Sequence, residues 1–168
     1  MQPTRTAIVL VAWNHLESTT RPCLESVLRF TDCRFRVICV DNASRDGTAD
    51  YVDALARRTG VIRRIAATQN LGWARGTLLG LDAIDPDDTH VCLLNSDVIV
   101  TPAWLSQLME HLAADPNIAA ILPHERPDLT DPGIAVPARG ASRPPFDAVL
   151  AAAERVRDGA RILINLAN

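Results

Sequence analysis

The sequence predicts an α/β fold in three layers, with a mainly parallel sheet and helices on both faces. Two observations carry this expectation. Between residues 6 and 122, short apolar runs alternate with stretches of helical periodicity, the pattern of successive βαβ units. Four consecutive runs then end in polar, glycine-rich or aromatic clusters. In a parallel sheet those clusters share one edge, the edge outside which ligands bind.

The elements follow in order. Residues 7–12 (AIVLVA), 36–40 (RVICV), 61–66 (VIRRIA), 91–94 (VCLL) and 118–122 (IAAIL) read as strands, short and mostly β-branched or leucine. The segments between them have helical spacing. Leu24, Val27 and Leu28 share one face, as do Val52, Leu55 and Ala56, and Leu105, Leu108, Met109 and Leu112 follow the i, i+3, i+4, i+7 rule. Thr20 before Pro22, Ser44 or Asp46 before GTADYV, and Thr101 before Pro102 mark helix starts. Asp115-Pro116 marks a stop.

The chain divides at residue 122. Residues 1–122 form the main domain. Residues 123–145 hold six of the eleven prolines and no periodicity, and read as an extended loop. Residues 146–168 read as a C-terminal helix, 146–158, ended by Gly159, and a final strand from RILINLAN, packed on the same domain. No internal repeat is present.

Composition narrows the function. At 168 residues the chain fits one domain with a real core. A formal charge of −3 argues against nucleic acid as the main partner. No apolar run approaches the roughly 18 residues of a membrane span. The start, MQPTRTAIVLVAW, reads as a first strand rather than a signal peptide, so a cytoplasmic protein is expected. All seventeen basic residues are arginine, which excludes a phosphate loop built on lysine and a lysine Schiff base. Cys23, Cys33, Cys39 and Cys92 form no C-x-x-C pair and no zinc spacing. Cys39 and Cys92 fall inside strands and read as small hydrophobes.

The strand ends hold the candidate site. The first strand runs into Trp13-Asn14-His15, the second into VDNASRDGT (40–48), the third into TQNLGWARG (68–76) and the fourth into NSDVIV (95–100). Asp41, where an apolar strand ends, can accept from the imide N–H of a base, and an Asx-turn is the competing reading. Asn42, Ser44 and Asp46 suit caps and turns. Gly47 permits positive φ. Asn70 and Gly72 allow close approach of backbone to a ligand, and Arg75 is placed to reach a phosphate or solvent. Trp13 and Trp73 can stack on a flat base or cover the sheet edge. Asp97 interrupts an apolar run, and a carboxylate there suits a hard divalent cation, Mg²⁺ or Mn²⁺, with Asn95 as a neighbouring oxygen donor.

Taken together, VAWN (11–14), VDNASRDGT (40–48), QNLGWARG (69–76) and LLNSD (93–97) resemble the nucleotide-sugar-binding half of family-2 glycosyltransferases. The resemblance covers residues 5–122. It implies a GT-A fold with a nucleotide-binding half like that of Rossmann proteins. It also implies transfer of a sugar from a nucleotide-diphosphate donor to an acceptor hydroxyl, inverting and metal-dependent. By resemblance, Asp41 binds the base, Trp13 and Asn14 line the nucleoside pocket with Asn42, and Asn70, Gly72, Trp73 and Ala74 border it. Asn95, Ser96 and Asp97 stand where the family has its Asp-x-Asp motif, with Asp97 as the metal ligand. Asparagine in first place resembles the branch that adds rhamnose or related sugars to bacterial surface polysaccharides.

The family's acidic catalytic pair is not found after residue 122. Glu125, Asp128 and Asp131 are the nearby carboxylates, and Phe146-Asp147 lacks the surrounding pattern. The acceptor half is much shortened. Three readings stay open. One is a small glycosyltransferase whose base comes from the tail or a partner subunit, a homodimer included. Another is a nucleotide-sugar-binding module without catalysis. The last is a sugar-1-phosphate nucleotidyltransferase, for which AWNHLESTT lacks the glycine-rich basic loop. The acceptor, a glycan or small molecule, is not specified.

Overall fold

The computed structural model describes residues 5–115, 117–118, 120–121 and 161–165. Its strands are β1 (Thr6–Ala12), β2 (Phe35–Asp41), β3 (Ile62–Ala66), β4 (His90–Asn95), β5 (Ala120–Ile121) and β6 (Arg161–Asn165). Its helices are α1 (Arg21–Phe30), α2 (Thr48–Thr59), α3 (Gly72–Leu81) and α4 (Trp104–Ala114), and a π-helical turn, Leu16–Thr20, leads into α1. The sheet has six strands in the order β3-β2-β1-β4-β6-β5. Every pairing is parallel. The expected three-layer α/β architecture is therefore present.

β1 is the central element. All seven of its residues are buried, as a strand covered on both faces requires. Ile8, Leu10 and Ala12 face one layer with Val37, Cys39, Cys92 and Leu94, packed against α1, α2 and α4. Ala7 and Val9 face the other layer with Ile38, Val91 and Leu93, packed against α3. β3 is an edge strand and is less covered, with Ile62 buried and Arg63 and Ala66 exposed.

α3 lies unusually close to the sheet because it presents glycines. A Cβ on Gly76 would stand 2.8 Å from Val11 Cγ1. A Cβ on Gly80 would meet Val9 Cγ1 at 2.4 Å and Val40 Cγ2 at 3.2 Å. The opposite edge of the sheet is fixed by charge. Arg5 donates to Asp88 at 2.6 Å and to Asp85 at 3.2 Å, and Arg36 pairs with both aspartates. Asp88 is buried there and holds the start of β1 and β2 against the turn before β4.

Three helix starts differ from the sequence reading. Thr20 makes no capping bond and is itself helical, because the π turn extends the helix back to Leu16. α4 begins at Trp104 rather than at Pro102, behind Ala103 in the left-handed region at φ 60°. The chain from Asp97 to Val100 stays in contact with the core: Val98 and Val100 are buried, and Val100 N–H donates to Ser26 Oγ at 3.1 Å. Trp104, whose Nε1 donates to Thr31 Oγ1 at 3.0 Å, anchors the helix two residues later than the local Thr-Pro signal. Neither Ser44 nor Asp46 is the N-cap of α2, which is Gly47 at φ 90°. The proline-rich segment 123–145, the helix expected over 146–158, and Glu125, Asp128, Asp131 and Asp147 lie outside the described residues.

Candidate functional site

The carboxyl ends of β1, β2, β3 and β4 form one edge. Ala12 is in register with Asp41, Asp41 with Ala66, and Val11 with Asn95. The strand order reverses between β1 and β4, since β2 and β3 lie on one side of β1 and the later strands beyond β4. Such a switch point opens a crevice. Trp13 and Asn14 leave one side of it, and Ser96 and Asp97 leave the other.

The loop after β1 turns sharply. Asn14 (φ 53°) and His15 (φ 56°) are consecutive left-handed residues, an arrangement that needs outside support. The loop after β2 supplies it. Asn14 N–H donates to Ser44 Oγ at 2.9 Å, and Arg45 N–H donates to Asn14 Oδ1 at 2.8 Å. Asp46 Oδ2 accepts from Leu16 N–H at 2.7 Å, while its Oδ1 accepts from Thr48 Oγ1 at 2.6 Å. Burial works against the charge of Asp46, but the hydrogen bonds from Thr48 and Leu16 outweigh it and hold its pKa below the usual carboxylate value. The first N–H of the helical segment after β1 is thus already occupied by a carboxylate. Trp13, held by this turn, is 49% exposed, the exposed large apolar side chain among the described residues.

Asn42 ties the second loop to the third. It is buried, its Nδ2 donates to Asn70 Oδ1 at 2.8 Å, and its Oδ1 accepts from Leu71 N–H at 2.8 Å. Asn70 Oδ1 also accepts from Gly72 N–H at 2.8 Å, which closes a tight turn with Gly72 at φ 73°. Asn42 therefore shapes the loop that Asn70 and Gly72 form. Ala74 is half-buried and Arg75 exposed in the first turn of α3. Trp73, half-buried, packs against the sheet-face cluster with Leu78 and Leu81.

Asp41 is 4% exposed. Its Oδ1 accepts from Ser44 N–H at 3.0 Å, realising the Asx-type turn. Its Oδ2 lies 3.5 Å from Arg64 Nη1. An ionised carboxylate has about four lone-pair sites, so these contacts leave acceptor capacity on Oδ2. Arg64 is a residue the sequence reading passed over. It sits on an edge strand with no helical spacing to its partner Asp53, and only the fold brings the two together.

Asn95 ends β4 in the buried layer, and Asp97 follows two residues on, half-buried. Asn95 Oδ1 and Asp97 Oδ1 are both shielded from solvent. The Asn95 carbonyl accepts a contact from Cys23 Sγ at 3.5 Å, which fixes the strand end against α1. Among the described residues no group of three or more His, Cys, Asp or Glu side chains is placed to hold a metal. Thiol chemistry has no support at this edge. Cys23 is buried and its pKa is pushed well up, and burial pushes Cys39 and Cys92 up to about 12.

The profile of glycosyl transferase family 2 matches residues 7–139. The chain belongs to that family. Its fold is similar to part of residues 1–349 of S. aureus TarS, with a TM-score of 0.64 at 16% identity over 83% of this chain and 39% of that one. The same TarS fragment in complex with UDP-GlcNAc matches with a TM-score of 0.64 at 16% identity, over 77% of this chain and 37% of that one. Its complex with UDP gives 0.63 at 16% identity, covering 77% and 38%. The chain thus spans about two fifths of the length of these structures. No curated protein matches the chain. No helix among the described residues is long and apolar enough to cross a membrane.

Proposed function

We propose that this chain binds a nucleoside-diphosphate sugar across the β1–β4 crevice and transfers its sugar to an acceptor hydroxyl, with inversion at the anomeric carbon. The observation that carries the reading is the convergence of Asp41, Asn14, the Asn70–Gly72 turn and Asp97 on one sheet edge at the switch point. Trp13 offers an exposed ring to the base beside the buried Asp41 carboxylate. The Asn70–Ala74 turn borders the nucleoside. The structures of TarS with UDP and UDP-GlcNAc support a ligand of this class on this fold.

The diphosphate needs positive charge that the helix after β1 does not offer, since Asp46 occupies Leu16 N–H. A cation held from the β4 side would supply that charge. Asn95 and Asp97 provide hard oxygen donors, which fit Mg²⁺ or Mn²⁺. With so few protein ligands in the described residues, phosphate oxygens and water would complete the shell, as is common for these ions. A bound cation would supply stabilisation of the charge that develops on the leaving diphosphate. Asp97 would hold and orient it, with Asn95 fixing the strand end from which Asp97 projects. The proton of the acceptor hydroxyl requires a general base. Glu125, Asp128, Asp131 or a partner subunit are the sources we assign to it.

The test is turnover. Incubation with UDP-, dTDP- or GDP-sugars, Mn²⁺ and candidate acceptors should release nucleoside diphosphate, and Asp97→Ala should abolish the release. Donor binding without release or slow hydrolysis would instead identify a donor-binding module. Release of pyrophosphate from nucleoside triphosphate and sugar 1-phosphate would identify a nucleotidyltransferase.

A further inference from the structure

Burying the Asp41 carboxylate is costly unless the charge is paired. Ser44 N–H pairs Oδ1, but one backbone donor does not balance a full charge at 4% exposure. Among the described residues the remaining partner is Arg64. From β3, in register with Cys39, it reaches towards the end of β2. Its Nε and Nη2 form a two-pronged pair with Asp53 Oδ1 and Oδ2 of α2, both at 2.8 Å. Its third nitrogen, Nη1, stands 3.5 Å from Asp41 Oδ2.

That geometry has a specific consequence. Had Arg64 been free to close on Asp41, it would have taken Oδ2 as a hydrogen-bond acceptor. Asp53 anchors the fork and holds it off. Asp41 thereby gains a nearby positive charge while Oδ2 keeps room for an incoming donor. The guanidinium is planar and always charged, so its stand-off is fixed by the Asp53 pair in a way a lysine would not reproduce.

We propose that Arg64, clamped by Asp53, is a positioning residue that orients Asp41 as an acceptor, so that the site selects bases carrying an imide N–H, uracil or thymine, over cytosine. The proposal rests on the reading of Asp41 as the base-binding residue. Uracil presents N3–H to the carboxylate, whereas cytosine presents the N3 lone pair, which an anion repels.

Calorimetric titration with UDP and CDP in the presence of Mn²⁺ separates the two ideas. The unaltered protein should bind UDP tighter than CDP by about tenfold or more. Asp41→Asn should lose the preference. Arg64→Gln should bring the two affinities within about threefold of each other, and Asp53→Asn should weaken the preference in the same direction. A merely structural staple between α2 and β3 would lower thermal stability or both affinities together and leave their ratio unchanged. If the unaltered protein binds neither nucleotide, or prefers CDP, the Asp41 reading fails and the inference with it. If Asp41→Asn loses the preference while Arg64→Gln and Asp53→Asn keep it, the inference alone is overturned. Should Arg64→Gln not fold, Asp53→Asn decides: a reduced ratio supports the proposal and an unchanged one refutes it.

Discussion

Asn42 Nδ2 donates to Asn70 Oδ1 at 2.8 Å. This bond links the ends of β2 and β3, and Leu71 N–H returns to Asn42 Oδ1 at the same distance. Asn42→Ala removes both and leaves the Asn70–Gly72 turn without its anchor. The expected cost is about 1–3 kcal/mol. For a chain of this size that lowers the melting temperature by several degrees, at about 2–4 °C per kcal/mol. Thermal denaturation measures it, and nucleotide affinity should fall with it. An unchanged melting temperature would mean that the turn is held by other contacts.

Gly80 tests the close approach of α3. Alanine is the better helix former by about 1 kcal/mol, so propensity alone predicts stabilisation. The new Cβ, however, would lie 2.4 Å from Val9 Cγ1 on the central strand. Gly80→Ala should destabilise by about 1–3 kcal/mol, read from the urea midpoint. A midpoint at or above that of the parent would show that β1 and α3 can separate without cost.

Asp46 carries a pH dependence of known sign. Its folded pKa lies below the ordinary carboxylate value of about 3.9, chiefly through Thr48 and Leu16 acting against burial. Its contribution is therefore complete above that value and is lost as pH falls through the folded pKa. Asp46→Asn keeps an acceptor oxygen but no charge. It should cost about 1 kcal/mol at pH 7, discounted for exposure, and the difference should shrink in acid. Urea unfolding at neutral and acid pH checks this, and a difference that grows in acid would reverse the assignment.

Trp13 should separate binding from folding. It is half-exposed and contributes little to the core. Trp13→Ala should change stability by no more than about 0.5 kcal/mol, yet weaken nucleotide binding by about 1–3 kcal/mol if the ring stacks on the base. Titration calorimetry beside thermal denaturation reads both. Unchanged affinity would assign the ring to another role.

Much of the fold was legible because β1, β2 and β4 are uninterrupted apolar runs and their helices have regular periodicity. The strand-end clusters were legible for the same reason: parallel strands place VDNASRDGT and NLGWARG on one edge whatever the details. Contacts distant in sequence were not legible. Asn14 bonds Ser44 and Arg45, and Arg64 stands between Asp53 and Asp41, in pairings that no local spacing announces. Local signals also misled where packing was stronger. Thr101-Pro102 marks a helix start, but the burial of Val98, Val100 and Trp104 moves it to residue 104. Trp73 shows the limit of composition, since an aromatic beside a glycine turn serves a base or a core equally well.

On the proposed function, a nucleoside diphosphate and a divalent cation bind together at the edge formed by Asp41 and Asp97. A thermal-shift titration with UDP, dTDP and GDP, each with and without Mn²⁺, tests it most directly. Binding to the native state raises the melting temperature with the logarithm of ligand concentration. One nucleotide class should give a shift that requires Mn²⁺ and disappears in Asp97→Ala. No shift for any nucleotide at millimolar concentration, or a shift indifferent to both Mn²⁺ and Asp97, would contradict it.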